Sequence, residues 1–294
     1  MALPTIAPYP MPGPADLPKN KVSWTIEPRR AALLIHDMQR YFVEAFSAGQ
    51  SPVKELVAHI RQLRQQCAAL GIPVIYSAQP GGQTPEQRGL LQDFWGPGIN
   101  AGPYQKQIIE DLAPAKDDIL LTKWRYSALR KTGLRDLLRE RNRDQLIITG
   151  IYAHIGCLQT ASDAFMDDVQ PFFVADALGD FSLDHHHLAL KYASQLCAVT
   201  TTTQRVMEEL RSGAKKSLSL QQVRADVAEV LLQPVSSLGD DDNLLEKGLD
   251  SIRIMSLVER WRSQGSDVGF VQLAERPTLT EWYALLSSSA LPQS

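Results

Sequence analysis

The chain has 294 residues, with 33 acidic and 30 basic side chains and a formal charge of −3 at pH 7. Its 44% hydrophobic and 21% charged content suit a folded globular chain rather than a disordered one, and the length allows two domains. There is no basic face for nucleic acid and no run of about 18 apolar residues for a membrane span, and Cys67, Cys157 and Cys197 are too few and scattered for a disulfide framework or a zinc site.

Residues 1–29 are proline-rich and lack a basic-then-apolar signal pattern. They read as an extended arm, and the protein is expected in the cytoplasm. Arg30 to Asp37 is an apolar run ending in a carboxylate, a buried strand. Ser51 to Leu70 has helical periodicity that Gly71 stops. Strands follow at Pro73 to Ala78, Ile119 to Lys123, Gln145 to Gly150 and Phe172 to Asp176, with helices expected at Ser127 to Arg141, Cys157 to Asp168 and Asp184 to Ala198. Strands alternating with helices predict a parallel sheet covered on both faces. Ligands of such folds gather beyond the carboxyl ends of the strands, where Asp37, Gln79, Lys123, Ala153 to Gly156 and Asp176 converge.

Residues 211–218 are small, polar and basic, and read as a linker between a first domain over 30–210 and a second over 219–290. The second is acidic: from Ser219 onward there are 11 acids and 6 bases, a balance of −5, against 22 and 24, or +2, before it. Ser219 caps a helix with Val223, Val227, Val230 and Leu231 on one face. A long loop bearing Asp240, Asp241 and Asp242 leads to a helix from Ser251, with Ile254, Leu257, Val258 and Trp261 on its buried stripe, and Pro277-Thr278 opens a last helix. Ser251 is either an N-terminal cap or a modification site.

Asn243-Leu244-Leu245 followed by Gly248-Leu249-Asp250-Ser251 resembles the core of a thiolation, or carrier-protein, domain. The resemblance implies 4′-phosphopantetheine on Ser251, attached by a pantetheinyl transferase whose magnesium Asp250 helps to place. It also implies partner docking at Met255, Ile252 and Arg253, although Ile252 suits bundle packing as well. His36-Asp37-Met38-Gln39, Thr122 to Ala128, Gly150 to Cys157 and Asp93 to Gly98 resemble the isochorismatase branch of the cysteine-hydrolase superfamily, over Arg30 to roughly Met207. Together they imply a three-layer α/β isochorismatase-like domain followed by a small all-α four-helix carrier domain, a combination found in bifunctional isochorismatase and aryl carrier proteins of catechol siderophore synthesis.

Several roles follow from that resemblance. In the amidases of the superfamily the nucleophilic Cys stands six residues after the glycine ending the fourth strand. Here that slot holds Gly156, with Cys157 one position on. Amide hydrolysis needs a nucleophile, whereas the vinyl ether of isochorismate needs an acid and water. Asp37 is the implied acid, Lys123 its partner and a ligand for a substrate carboxylate, and Gly156 leaves room for the cyclohexadiene ring. Gln79, Arg88 and Tyr152 match substrate-binding positions. The lysine favours ionised Asp37 and burial opposes it, so the protonation state stays open. The His185-His186-His187 tract reads as surface helix, with no metal site expected, and His36 and His154 as structural. An aryl-acid adenylating ligase, a condensation enzyme and homodimerisation are also implied. Two other readings stand beside this one: a carrier-fused amidase using Cys157, and a non-catalytic scaffold.

Overall fold

The computed structural model describes residues 3–216, 218–263, 266 and 268–288. The chain divides into two compact units, Met1–Leu210 and Arg211–Ser294. In the first, six strands among the described residues form one sheet: β1 (Ala31–His36), β2 (Val74–Ala78), β3 (Ile119–Thr122), β4 (Gln145–Ile151), β5 (Gln170–Gly179) and β6 (Val199–Thr201). Every pairing is parallel and the order is β3-β2-β1-β4-β5-β6. The chain builds outward from β1 in one direction, returns to lay β4 on the other side of β1, then builds outward again. The switch point therefore lies between β1 and β4, where such sheets bind ligands.

β1 is buried throughout because both faces are covered. Alternation sends Ala31, Leu33 and Ile35 to one apolar core and Ala32 and Leu34 to the other. The covering helices are α1 (Arg40–Val43), α2 (Val53–Ala69), α3 (Pro85–Arg88), α4 (Leu91–Trp95), α5 (Leu134–Glu140), α6 (Leu158–Met166), α7 (Leu183–Leu196) and α8 (Thr203–Lys216).

Four sequence expectations change. The helix expected from Ser127 begins at Leu134, because Lys131 has a left-handed φ of 57° and Gly133 is the N-cap. The helix expected from Cys157 is preceded by a π-helical turn, Ala153–Cys157. β5 runs past Asp176, whose Oδ1 instead caps α8 by accepting from Thr203 N–H at 2.7 Å. Finally, residues 211–216, read as linker, continue α8; Arg, Ala and Lys are good helix formers that outweigh Gly213.

The second unit contains α9 (Leu220–Leu231), α10 (Ser251–Ser263), α11 (Phe270–Glu275) and α12 (Leu279–Ser288). Val223, Val227, Ile254, Leu257, Trp261, Leu273 and Trp282 form its core. Trp261 Nε1–H donates to buried Asp226 at 2.8 Å, and Trp282 Nε1–H to Leu273 O at 2.9 Å, so both indoles are satisfied. No helix among the described residues is long and apolar enough to cross a membrane.

Candidate functional site

Parallel register sets the carboxyl ends of β1, β2 and β4 level. His36 pairs with Ser77 on one side and Gly150 on the other. Gly150 has φ 107°, and a Cβ there would stand 2.2 Å from His36 O, so only glycine lets β4 pass this close to β1. Asp37 follows with a left-handed φ of 50°, a conformation that costs most residues roughly 1–2 kcal/mol.

Asp37 is 4% exposed and Lys123 1%. Lys123 Nζ meets Asp37 Oδ2 at 2.9 Å and donates to Arg125 O at 2.7 Å and Tyr126 O at 3.1 Å. Its three protons are thereby committed, so it has none left for the substrate carboxylate that the resemblance implied. Asp37 Oδ2 also accepts from Gln79 Nε2 at 3.0 Å, and Oδ1 from Ser77 Oγ at 2.8 Å. Burial pushes the Asp37 carboxyl up, but the Lys123 ammonium, with the Gln79 hydrogen bond, holds it below the ordinary carboxylate value. The resting carboxyl is therefore ionised.

Gln79 Oε1 accepts from Arg88 Nη1 at 3.2 Å, making Gln79 a bridge between Asp37 and Arg88. Arg88 is 5% exposed and its Nε–H donates to Gly96 O at 3.0 Å; it is no solvated helix charge. Tyr152 is buried with its hydroxyl donating to Phe42 O at 3.1 Å, so it offers the site a ring face and not a free donor. That ring stacks on Phe181 with centroids 4.2 Å apart.

Asp37, Gln79, Arg88, Lys123, Tyr152 and Gly156 all line one cavity. Trp95, Tyr126 and Phe181 line it too. Trp95 and Tyr126 belong to motifs visible in the sequence; Phe181 carries no sequence signal. Ser77 was missed, although it is the one polar residue within an apolar strand run.

At Gly156 the expectation changes. A Cβ there would come 2.3 Å from His36 Cε1 and 3.1 Å from Tyr126 O, so the space opened by the glycine is filled by the His36 imidazole and not kept for a substrate ring. His36 Nδ1–H donates to Ile151 O at 2.9 Å, and burial lowers its pKa to about 4, so it is neutral. Cys157 is fully buried in an apolar cluster, and burial pushes its thiol well above the ordinary value. That is the setting of an inert cysteine.

His154, Asp180 and His185 bring possible metal-ligating atoms within 4.8 Å of one another. Asp180 already receives His154 N–H at 2.7 Å and Phe181 N–H at 2.8 Å, with His154 Nδ1 at 2.6 Å. The His154 and His185 rings stack at 4.3 Å and 13°, and parallel imidazoles offer no common in-plane metal position. The cluster is held by its own hydrogen bonds.

In the second unit Ser251 opens α10 and is exposed. The cap is supplied by Asp250, whose Oδ1 accepts from Arg253 N–H at 2.9 Å, and no hydrogen bond to Ser251 Oγ is found among the described residues. Ile252 is 82% and Met255 44% exposed, so Ile252 takes no part in bundle packing. Arg253 Nη1 turns back to Gly248 O at 2.6 Å.

Residues 31–205 match the isochorismatase domain family. The chain belongs to the isochorismatase family. Residues 221–286 match the phosphopantetheine attachment site family. Over its full extent the chain resembles an isochorismatase of Bacillus subtilis, at 54% identity over 98% of this chain and 96% of the relative. It also resembles enterobactin synthase component B of Escherichia coli K12, at 46% identity over 98% and 99%. Among solved structures, a cysteine hydrolase of Pseudomonas syringae pv. phaseolicola superposes with a TM-score of 0.59 and 25% identity, over 65% of this chain and 97% of that one.

Proposed function

We propose that this isochorismatase family member acts as both enzyme and carrier. The first unit hydrolyses the enolpyruvyl ether of isochorismate to 2,3-dihydro-2,3-dihydroxybenzoate and pyruvate. Ser251 carries an activated 2,3-dihydroxybenzoyl group on 4′-phosphopantetheine for siderophore synthesis. The observation that carries the enzymatic half is the buried Asp37–Lys123 pair at the switch point of the sheet, with glycine at 156 and the Cys157 thiol enclosed in an apolar cluster.

The resting pair is carboxylate and ammonium. A dianionic substrate entering beside Asp37 makes its ionised form costlier and raises its pKa. The proton between Lys123 Nζ and Asp37 Oδ2 then crosses this 2.9 Å contact to give carboxylic acid and amine. Lys123 can keep both carbonyl hydrogen bonds in this state. Asp37 protonates the terminal methylene carbon and an oxocarbenium ion forms. Water adds to its cationic carbon, and the hemiketal collapses, breaking the bond to the ring oxygen. The ring oxygen takes up a proton, and the water's other proton restores the Asp37–Lys123 pair. Arg88, one Nη2 of which is uncommitted among the described hydrogen bonds, is placed to hold a substrate carboxylate.

The residues around Ser251 fit phosphopantetheine, because the hydroxyl is exposed, uncommitted and on the first turn of a helix. Bound there, the group supplies a thiol that holds an acyl chain as thioester. Asp250 shapes the turn, and Ile252 and Met255 offer exposed apolar surface to visiting enzymes. Those partners are a pantetheinyl transferase, an adenylating ligase that loads the aryl acid and a condensation enzyme that receives it.

Pyruvate release from isochorismate, followed with a coupled dehydrogenase, tests the first half. Intact mass after incubation with coenzyme A and a pantetheinyl transferase tests the second. Pyruvate without mass gain at Ser251 removes the carrier role; mass gain without pyruvate leaves a scaffold.

A further inference from the structure

Residues 3–29 do not trail from the hydrolase unit; their early part is stapled along it. Ile6 N–H donates to Ala45 O at 2.7 Å, and its side chain is 1% exposed within the core. Met11 N–H donates to Ser51 Oγ at 3.1 Å. The Tyr9 hydroxyl accepts from Asp180 N–H at 2.7 Å. His186 directs Nε2 at Ala175 O, 3.0 Å away, which leaves its Nδ1 to accept from the Tyr9 hydroxyl at 3.2 Å.

Two consequences reach the cavity. The strap sets Leu3 on the wall of the space that holds Asp37, beside Phe42, Tyr152 and Phe181. Tyr9 also fixes Asp180, which receives the Phe181 N–H, and the Phe181 ring stacks on Tyr152 at 4.2 Å and on Trp95 at 6.1 Å. An unbroken chain of contacts thus runs from an arm remote in sequence to the aromatic wall of the site.

We propose that this N-terminal strap is a working part of the hydrolase site. Leu3 contacts the bound substrate and helps to select it, and Tyr9 is a positioning residue that sets, through Asp180, the Phe181–Tyr152 wall on which the substrate's carbocycle packs. The inference rests on the reading that this cavity takes isochorismate. Its physical basis is that Gln79 and Arg88 supply polar contacts on one side of the cavity, whereas a six-membered carbocycle needs an apolar surface that keeps water from its faces. Leu3 completes that surface.

The test uses the full chain with Leu3→Ala, Leu3→Trp and Tyr9→Phe, and Asp37→Asn as the reference. Loss of a few methylenes from an apolar pocket changes discrimination about tenfold or more. We expect Leu3→Ala to raise KM for isochorismate by about tenfold with kcat altered far less, and Leu3→Trp, which fills the cavity, to raise it further. Both should unfold at the wild-type temperature, because Leu3 is only partly buried. Tyr9→Phe should raise KM even at temperatures where it is fully folded. A strap that only stabilises the fold gives the reverse pattern, with lower unfolding temperatures and unchanged KM. If both Leu3 variants keep KM and kcat within about twofold while Asp37→Asn is inactive, the strap proposal fails alone. If Asp37→Asn turns over at the wild-type rate, the cavity reading fails and the strap proposal falls with it.

Discussion

Asp37 and Ser251, the residues proposed to react in the two units, stand in opposite surroundings. Asp37 is 4% exposed, follows a strand buried on both faces, and accepts from Lys123, Gln79 and Ser77. Ser251 is exposed, opens a helix, and leaves the capping to Asp250. The difference follows from what must reach each group. A small substrate can be enclosed, and enclosure strengthens each electrostatic contact with it. A hydroxyl that other enzymes must modify has to stand clear, so its surroundings supply little but access.

The sharpest way to break this comparison is to exchange the losses. Asp37→Asn should cut pyruvate release by about 10²–10⁴-fold, the range of a lost acid catalyst, and leave mass gain at Ser251 intact. Ser251→Ala should abolish the mass gain and leave pyruvate release at the wild-type rate. If either substitution removes both activities, the two sites are not independent.

Burial carries a stability consequence at the first site that the second lacks. Lys123→Met strands the Asp37 carboxylate, which should cost about 3–5 kcal/mol in urea denaturation. Adding Asp37→Asn should recover part of the loss, since no buried charge then remains. A Lys123→Met protein as stable as wild type would show that the pair is better hydrated than its burial implies.

Acid should weaken the first unit through the same burial. His36 and His186 each have pKa values pushed from 6.5 down to about 4, with burial the main cause. An unfolded chain protonates both below 6.5 while the fold resists until about 4. Stability is therefore full above 6.5 and is lost progressively as pH falls toward 4. Lowered Asp37 adds to the loss below the ordinary carboxylate value. Thermal unfolding across that window, compared between wild type and His36→Asn, should show a shallower decline in the variant.

The smallest effect is expected at the carrier surface. Ile252→Glu alters a side chain 82% exposed, so stability should move by no more than about 0.5 kcal/mol. Mass gain at Ser251 should persist while aryl transfer to the condensation enzyme slows. Unchanged transfer would move the docking surface elsewhere on the carrier.

Five strands and the ends that bear Asp37, Gln79 and Lys123 are legible from apolar runs terminated by polar residues. β6 and α8 are not. β6 has three residues, Val199–Thr201, too few to show alternation, and 211–216 has a linker's small and basic composition but folds as helix. Local pattern shows which residues end a strand. It does not show that His36 fills the hollow over Gly156, since those residues are 120 positions apart and meet only across the β1–β4 pairing. The same holds for Leu3 and Phe181, whose apolar side chains resemble any others until the strap and the end of β5 face one cavity.

The sequence by itself determined the parallel α/β sheet and the acidic helical module, and it singled out Asp37 and Ser251 as candidates, because hydrophobic period and short motifs are local properties of a chain. Only the tertiary structure decided that Lys123 spends its protons on Asp37 and two carbonyls, that Gln79 bridges to Arg88, and that the N-terminal arm closes on the site. Partners, burial and the pKa values they set depend on which distant residues the fold brings within a few ångströms, and no local pattern encodes those distances.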